Sequence, residues 1–357
     1  MLKRGLHYVG FDVHKKTIRV CVQNRSGDVV QETTIASCPS ELVRWIKEMA
    51  PKKWIGGLEA TVFSSWVYDT LKPYADDVLM GNPRRLVAIS QAKHKSDHLD
   101  ARTLANLLRS DYFPDCYVLP IEVRRLRNFL RYRNNLMREL VRFKNKTACL
   151  LMSAGITYNK RRLHGRRYFH SLVEREDLPP ELKELLHLKR LPIDFFRVQA
   201  RMVLRKLEKH PGLVRRLELL KTIPGIGPIT ALSWILEVWD PNRFPSVKHA
   251  HSYCGLCSGR KESAGKERRT PISKQRNAHL QWVLIEAAKV AKDRSERLHE
   301  IYDKVQRKKN HNAATIAVAR KLVSYLMAVD KSGKPFAEKK KSPPADIPPN
   351  FVKFIER

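Results

Sequence analysis

The chain has 357 residues, 43% of them hydrophobic, and its 69 Lys and Arg outnumber 36 Asp and Glu for a formal charge of +33. That much apolar residue fills one or two ordinary cores and argues against wholesale disorder. A positive excess of this size opposes compaction unless a polyanion neutralises it, which points to nucleic acid and away from small-metabolite chemistry. No run of about 18 or more apolar residues occurs, and the N-terminus enters a strand-like run at once, so the expectation is a soluble, cytoplasmic protein with no membrane partner. Cysteines at 21, 38, 116, 149, 254 and 257 are too scattered for a disulfide framework and read as reduced thiols.

The charge is unevenly spread. Residues 1–100 hold 15 basic and 11 acidic side chains, leaving 54 and 25 for the rest. A compact α/β unit whose acids need a reason is therefore followed by a basic surface suited to phosphates. A packaging protein of ribosomal or chromatin type is the alternative that charge alone leaves open.

In chain order, HYVGFDV (7–13), TIRVCVQ (17–23) and VVQETTI (29–35) have strand composition, with the turn NRSGD at 24–28 between the last two. They predict a three-stranded antiparallel meander. Ser40 is placed to cap a helix over 41–49, KWIGGL at 53–58 is a strand ending at Glu59, and helix then strand follow over about 64–72 and 78–80. Beyond Asn82 and Pro83 the pattern is helical through RRLVAIS and again through DHLDARTLANLLRS. This is the element order of a ribonuclease-H-like domain. From 122 to 152 a broad apolar stripe runs through Leu126, Phe129, Leu130, Leu136, Met137, Leu140, Phe143, Ala148 and Leu151. Ile193, Phe196, Ala200, Val203 and Leu207 form a short heptad seam, so a helical hairpin or coiled coil is expected between two domains, with packing of one helix on the other the commoner outcome. TIPGIGPITA at 222–231 reads as the turn of a helix-hairpin-helix element, whose Gly225 and Gly227 let backbone N–H groups reach a DNA phosphate. An ordinary Pro-Gly turn is the plainer reading. The predicted fold class is α/β plus all-α, divided into 1–118, a helical linker at 119–216, a mainly helical domain at 217–335 and a basic Pro-rich tail at 336–357.

Asp12 interrupts an apolar strand, where a carboxylate is costly unless a cation stabilises it. Glu59 ends another strand, and Asp97 and Asp100 are three apart on one side of a helix. Four carboxylates from two strands and a helix can converge to hold Mg²⁺ on a scissile phosphate. Each alone is as readily a salt bridge or cap; the set of four in this element order carries the expectation. Farther on, Ser263 lies in a predicted loop crowded with Arg260, Lys261, Lys266, Arg268 and Arg269, with Lys274 following, where its hydroxyl is easier to ionise.

GFDVHK (10–15), GLEAT (57–61), KSDHLDA (95–101), IPGIGPITA (223–231), YCGL (253–256), ESAG (262–265) and ISK (272–274) stand in an order that resembles the DEDD-type transposases of bacterial insertion sequences, the insertion-sequence family one-ten. The resemblance spans roughly 6–335. It implies a RuvC-like N-terminal domain and a C-terminal transposase domain, metal-binding roles for Asp12, Glu59, Asp97 and Asp100, and a nucleophilic role for Ser263. It also implies Mg²⁺ as cofactor, double-stranded DNA of element ends and target as substrate, an element-encoded guide RNA as partner, and a homodimer or homotetramer on the bacterial nucleoid. The chain departs from the pattern at Ala264, which separates Ser263 from Gly265, and Ser258 is the other candidate serine. A second departure is Cys254 and Cys257 with His249 and His251 upstream, which have plausible zinc spacing but no second CxxC, and read first as buried thiols. A hydrolytic, junction-resolvase-like nuclease using the carboxylates and water is the competing enzyme reading.

Overall fold

The computed structural model describes residues 5–89, 97–263, 266–272 and 274–338. Two compact units divide the chain, Met1–Ile121 and Glu122–Arg357.

In the first unit the expected meander is formed by β1 (His7–Val13), β2 (Thr17–Gln23) and β3 (Val29–Ala36). After them come α1 (Pro39–Glu48), β4 (Trp54–Glu59), α2 (Ser64–Leu71), β5 (Asp77–Gly81), α3 (Pro83–Ile89) and α4 (Asp97–Arg109). The sheet order is β3-β2-β1-β4-β5, with β1 antiparallel to β2 and parallel to β4. One boundary differs from expectation: α1 is capped at Cys38, not Ser40, because Pro39 has the fixed φ and missing donor that suit a first helical position.

Alternation along β1 divides its side chains between two faces. Val9, Phe11 and Val13 enter a core with Leu42, Trp45, Trp54, Leu58, Val67 and Leu71, in which the rings of Phe11, Trp45 and Trp54 meet at centroid distances of 5.3 to 5.9 Å. Gly10 and Asp12 belong to the other face, on which α4 lies. A Cβ on Gly10 would stand 2.0 Å from the Ala101 carbonyl oxygen and 2.8 Å from the Ala105 nitrogen, so the helix backbone rests directly on the strand. Gly57, the β4 partner of Gly10, makes the same room for Leu108 and Phe113. Ala101 and Ala105 pack with Cys21, and Arg102 forks onto Glu32 of β3.

The second unit opens with α5 (Ile121–Ser153), α6 (Arg166–Val173) and α7 (Pro180–Glu208). α5 and α7 lie antiparallel, with Phe143 against Phe196 at 5.8 Å and Lys206 over the Phe129 ring at 4.8 Å. Leu186, Ile193, Ala200 and Leu207, every seventh residue, are buried, so the seam seen in the sequence is used up within one chain. A second row on the same helix, Leu188, Leu191, Phe195, Val198 and Met202, is 50 to 66% exposed.

The rest is α8 (Pro211–Lys221), α9 (Pro228–Val238), α10 (Val247–Tyr253), a ribbon of β6 (Ser258–Ser263) and β7 (Lys266–Ile272), then α11 (Ala278–Ala291), α12 (Glu296–Lys308) and α13 (His311–Ser332). Every residue of α9 from Thr230 to Val238 is buried, and the helix packs on α8 and α11. Asp330 of α13 ties α8 and α9 together, accepting two 2.6 Å bonds from Arg216 and one of 2.8 Å from Trp234 Nε1. Of the tail expected from 336, Phe336 stacks on Tyr325 at 4.6 Å, while 339–357 lie outside the described residues. No described helix is long and apolar enough to cross a membrane.

Because the Ala101 carbonyl cannot move without displacing α4, Gly10→Ala is expected to destabilise the protein by about 3 kcal/mol in urea unfolding. Gly227→Ala, with nothing within 4 Å of the new methyl, is expected to cost less than about 1 kcal/mol, the loss of a preferred residue at the start of a helix.

Candidate active site

The glycine floor under α4 places the acids. Gly10 and Gly57 are register partners, followed by Phe11 and Leu58, so the same parallel register brings Asp12 beside Glu59 at the C-terminal strand ends, on the α4 face. α4 runs antiparallel to β1: Ala101 and Ala105 cover Gly10, while Arg109 at its C-terminal end packs against Gly27, in the turn beyond the start of β1. The first turn of α4, with Asp97 and Asp100, therefore lies toward the strand ends that carry Asp12 and Glu59. Asp12, Glu59 and Asp100 are all partly buried. The side chain of Asp97 lies outside the described residues. Among the described residues no three His, Cys, Asp or Glu side chains stand close enough to share an ion.

The carboxylates of Asp12, Glu59 and Asp100 are hard oxygen donors, the kind Mg²⁺ takes, and all three are partly buried. The donor chemistry thus fits a divalent cation. His14 was not anticipated: its Nε2 is 2.9 Å from Asp12 Oδ2. The signal was present, since His14 follows Asp12 by two positions and so shares its side of the strand.

The second group of candidates lies around β6 and β7. The basic segment expected as a loop is instead an antiparallel ribbon, with Arg260 opposite Arg269, Lys261 opposite Arg268, Glu262 opposite Glu267 and Ser263 opposite Lys266. Charged strands with no apolar alternation give no periodic signal, yet their backbone groups pair as well as any. Ser263 ends β6 at the turn, and Ala264 and Gly265 lie outside the described residues. Ser258 is exposed at the far end of the ribbon opposite Ile272, and Lys274 is exposed just past β7.

The base of the ribbon is clamped by Glu237, a residue that sequence reasoning missed. This carboxylate on α9 is 1% exposed and accepts two 2.8 Å bonds from Arg131 of α5. It also accepts a 2.9 Å bond from Asn277 Nδ2, and its backbone carbonyl accepts one from the Tyr253 hydroxyl. Asn277 caps α11, and its backbone N–H reaches the Tyr253 carbonyl at 2.8 Å, so both chain ends entering the ribbon meet at Glu237. Burial alone would raise the Glu237 carboxyl, but the Arg131 fork, Asn277 and Arg127 outweigh it and hold the group below its ordinary value.

Gly225 sits at φ +80 in the turn between α8 and α9, where a Cβ would come within 2.4 Å of Ala291 Cβ. Gly227 is the N-cap of α9, and no side chain caps that helix end. Cys254 is buried, which pushes its thiol up, and Cys257 is partly buried. His251 Nε2 is 2.9 Å from the Arg320 carbonyl and His249 Nδ1 is 2.9 Å from Ser246 Oγ, so both imidazoles have other partners.

Two family profiles match these two regions: a DEDD-type transposase domain over residues 9–155 and the transposase IS116/IS110/IS902 family over residues 217–303. The chain belongs to the IS110/IS116 family of transposases. As a transposase it is an enzyme of DNA cleavage and rejoining. It is similar to the transposase for insertion sequence element IS1328 of Yersinia enterocolitica, at 22% identity over 92% of this chain and 98% of the relative. The transposase for IS1111A of Coxiella burnetii is 23% identical over 70% of this chain and 72% of its own. The pilin gene-inverting protein of Moraxella bovis is 30% identical over 35% of this chain and 40% of its own.

Replacing Glu237 by Gln leaves the Arg131 guanidinium without its counter-charge, so Glu237→Gln is expected to cost about 3 kcal/mol at pH 7. A carboxyl held low in the folded state stabilises fully above its unfolded value near 4.5 and loses that contribution as pH falls through the folded value. The gap between wild type and variant in urea unfolding should therefore narrow from pH 7 to pH 3.5.

Proposed function

We propose that this transposase excises and integrates its insertion sequence by Mg²⁺-assisted strand cleavage and exchange through Ser263, guided by an RNA encoded in the element. The observation that carries the reading is that Asp12, Glu59 and the first turn of α4 lie toward one end of one sheet face. The sheet order β3-β2-β1-β4-β5, antiparallel then parallel, supports a ribonuclease-H-like, RuvC-like catalytic domain.

Asp12, Glu59, Asp97 and Asp100 would hold the metal. When bound, Mg²⁺ supplies Lewis-acid stabilisation of the scissile phosphate. His14 orients the Asp12 carboxylate through its 2.9 Å contact. Ser263 Oγ gives up its proton to water and attacks phosphorus, a serine–phosphate ester forms, the P–O bond to the leaving deoxyribose oxygen breaks, and that oxygen takes a proton from water. The ester keeps the energy of the phosphodiester, so a second hydroxyl can displace serine and reseal the strand without ATP.

The register supports Ser263 over Ser258. By two-residue alternation, positions Lys261, Ser263, Lys266 and Arg268 fall on one face of the ribbon and Glu262 and Glu267 on the other. Like charges opposite each other destabilise a free ribbon, and a phosphate at the Ser263 face would neutralise the Lys261–Arg268 pair. Gly225, Gly227 and Lys274 extend the DNA contact, the turn between α8 and α9 acting as a helix-hairpin-helix element. The exposed row Leu188 to Met202 has the three-and-four spacing of a coiled-coil seam, supporting a homodimer or homotetramer joined through α7. The protein acts in the cytoplasm on nucleoid DNA.

With the gene and its native flanks on a plasmid, excised-circle junctions scored by PCR are expected from wild type and lost in both Asp12→Asn and Ser263→Ala. Junctions retained by Ser263→Ala would leave the carboxylates and water to cut the DNA and remove serine from the chemistry.

A further inference from the structure

Beyond the ribbon and the turn, the α5–α7 hairpin carries a groove of about 260 Å³ between Arg133, Met137, Leu140 and Lys144 of one helix and Arg197, Ala200, Arg201 and Leu204 of the other. Four of the eight lining residues are cations and none is an acid. Arg133 is 8% exposed, yet among the described residues its guanidinium bonds to Asn134 Oδ1 alone, at 3.1 Å, and its Nε has no partner. A guanidinium buried without a counter-ion costs several kcal/mol, so a fold that keeps one gains from an anion supplied from outside. Among the described residues Lys144 and Arg201 form no ion pair, while Arg197 has an acidic partner, Asp194 at 2.9 Å. The surrounding field is positive enough to register on a neighbour: burial first, then Lys144, Arg190 and Arg197, lower His164 to about 4.

We infer that this groove is a phosphodiester-binding site for a nucleic-acid strand, with Arg133 as its buried anchor and Lys144, Arg197 and Arg201 along its rim. The cations extend roughly 16 Å along α5 at 1.5 Å per residue, a line suited to a backbone rather than a lone ion. The apolar floor of Met137, Leu140, Ala200 and Leu204 gives sugars or bases a dry surface beside the charges. The groove is distinct from the exposed apolar row of α7: Arg197, Ala200, Arg201 and Leu204 lie on the side adjoining α5, whereas Leu191, Phe195, Val198 and Met202 lie on the opposite side at helical spacing. The inference rests on the nucleic-acid reading above only in the class of its ligand.

The test uses the full chain, with no divalent ion so that nothing is cut, and fluorescence anisotropy with single-stranded RNA, single-stranded DNA and duplex DNA of one sequence. Lys144→Gln/Arg201→Gln removes partly or fully exposed charges, and Arg133→Met removes the anchor at similar length. Each is expected to weaken at least one probe about tenfold and to flatten its salt dependence by about 0.7 per lost contact for a single strand, or about 0.9 for duplex. A loss confined to RNA or to DNA identifies which strand occupies the groove. Unchanged affinity and slope for all three probes in Lys144→Gln/Arg201→Gln overturns the inference, whatever Arg133→Met does. That result leaves the transposase reading standing, since excision is scored separately with Asp12→Asn.

Discussion

The contact on which the candidate catalytic face depends is the one between the Gly10 Cα and the backbone of α4. At a would-be Cβ distance of 2.0 Å from the Ala101 oxygen, no other amino acid allows the helix to lie where it does. Paired Gly10 and Gly57 form a bare strip across two parallel strands, small Ala101 and Ala105 settle onto it, and Asp100 precedes the contact by one residue. The same strands carry Asp12 and Glu59 two positions later. Strands that bury Phe11 and Leu58 on one side and end in carboxylates on the other bring a hydrophobic core and an acidic site within one register.

The second unit solves a different problem, that of holding a strongly charged ribbon. A two-stranded ribbon with like charges opposite each other has little stability of its own. Its anchor is a buried network in which one carboxylate, Glu237, serves Arg131, Asn277 and, through its carbonyl, Tyr253. Acids in this basic chain are thus placed with purpose: Glu237 and Asp330 are almost fully buried where helices meet, and Asp12, Glu59 and Asp100 occupy one face of the sheet.

Much of this was legible in the sequence where periodicity and turn chemistry agree. The meander, the two later strands, the long helices and the turn at 222–227 all follow from alternating or helical apolar spacing interrupted by Gly and Pro. Asp12, Glu59, Asp97 and Asp100 stood out as a set, because two carboxylates at apolar strands and two on one side of a helix are unusual in a basic chain. What periodicity cannot show is pairing between distant segments. The basic strands at 258–263 and 266–272 have no apolar rhythm and read as a loop. Glu237 was invisible because it sits in an otherwise apolar helix and its partners lie 106 and 40 residues away. The heptad seam was found, but only the packed α5–α7 pair shows that Ile193, Ala200 and Leu207 are spent inside the chain while Leu191, Phe195 and Val198 remain outside.

The account stands most squarely on serine chemistry assisted by a metal held at the α4 face. The direct measurement is to incubate the protein, the RNA transcribed from its element and a nicked element-end DNA with Mg²⁺ or with EDTA. The SDS-stable products are then digested and the linked peptide identified by mass spectrometry. The account predicts a protein–DNA adduct that forms with Mg²⁺, is absent with EDTA and maps to Ser263. Cleaved DNA with no linked peptide, or a linkage at another residue, would contradict it.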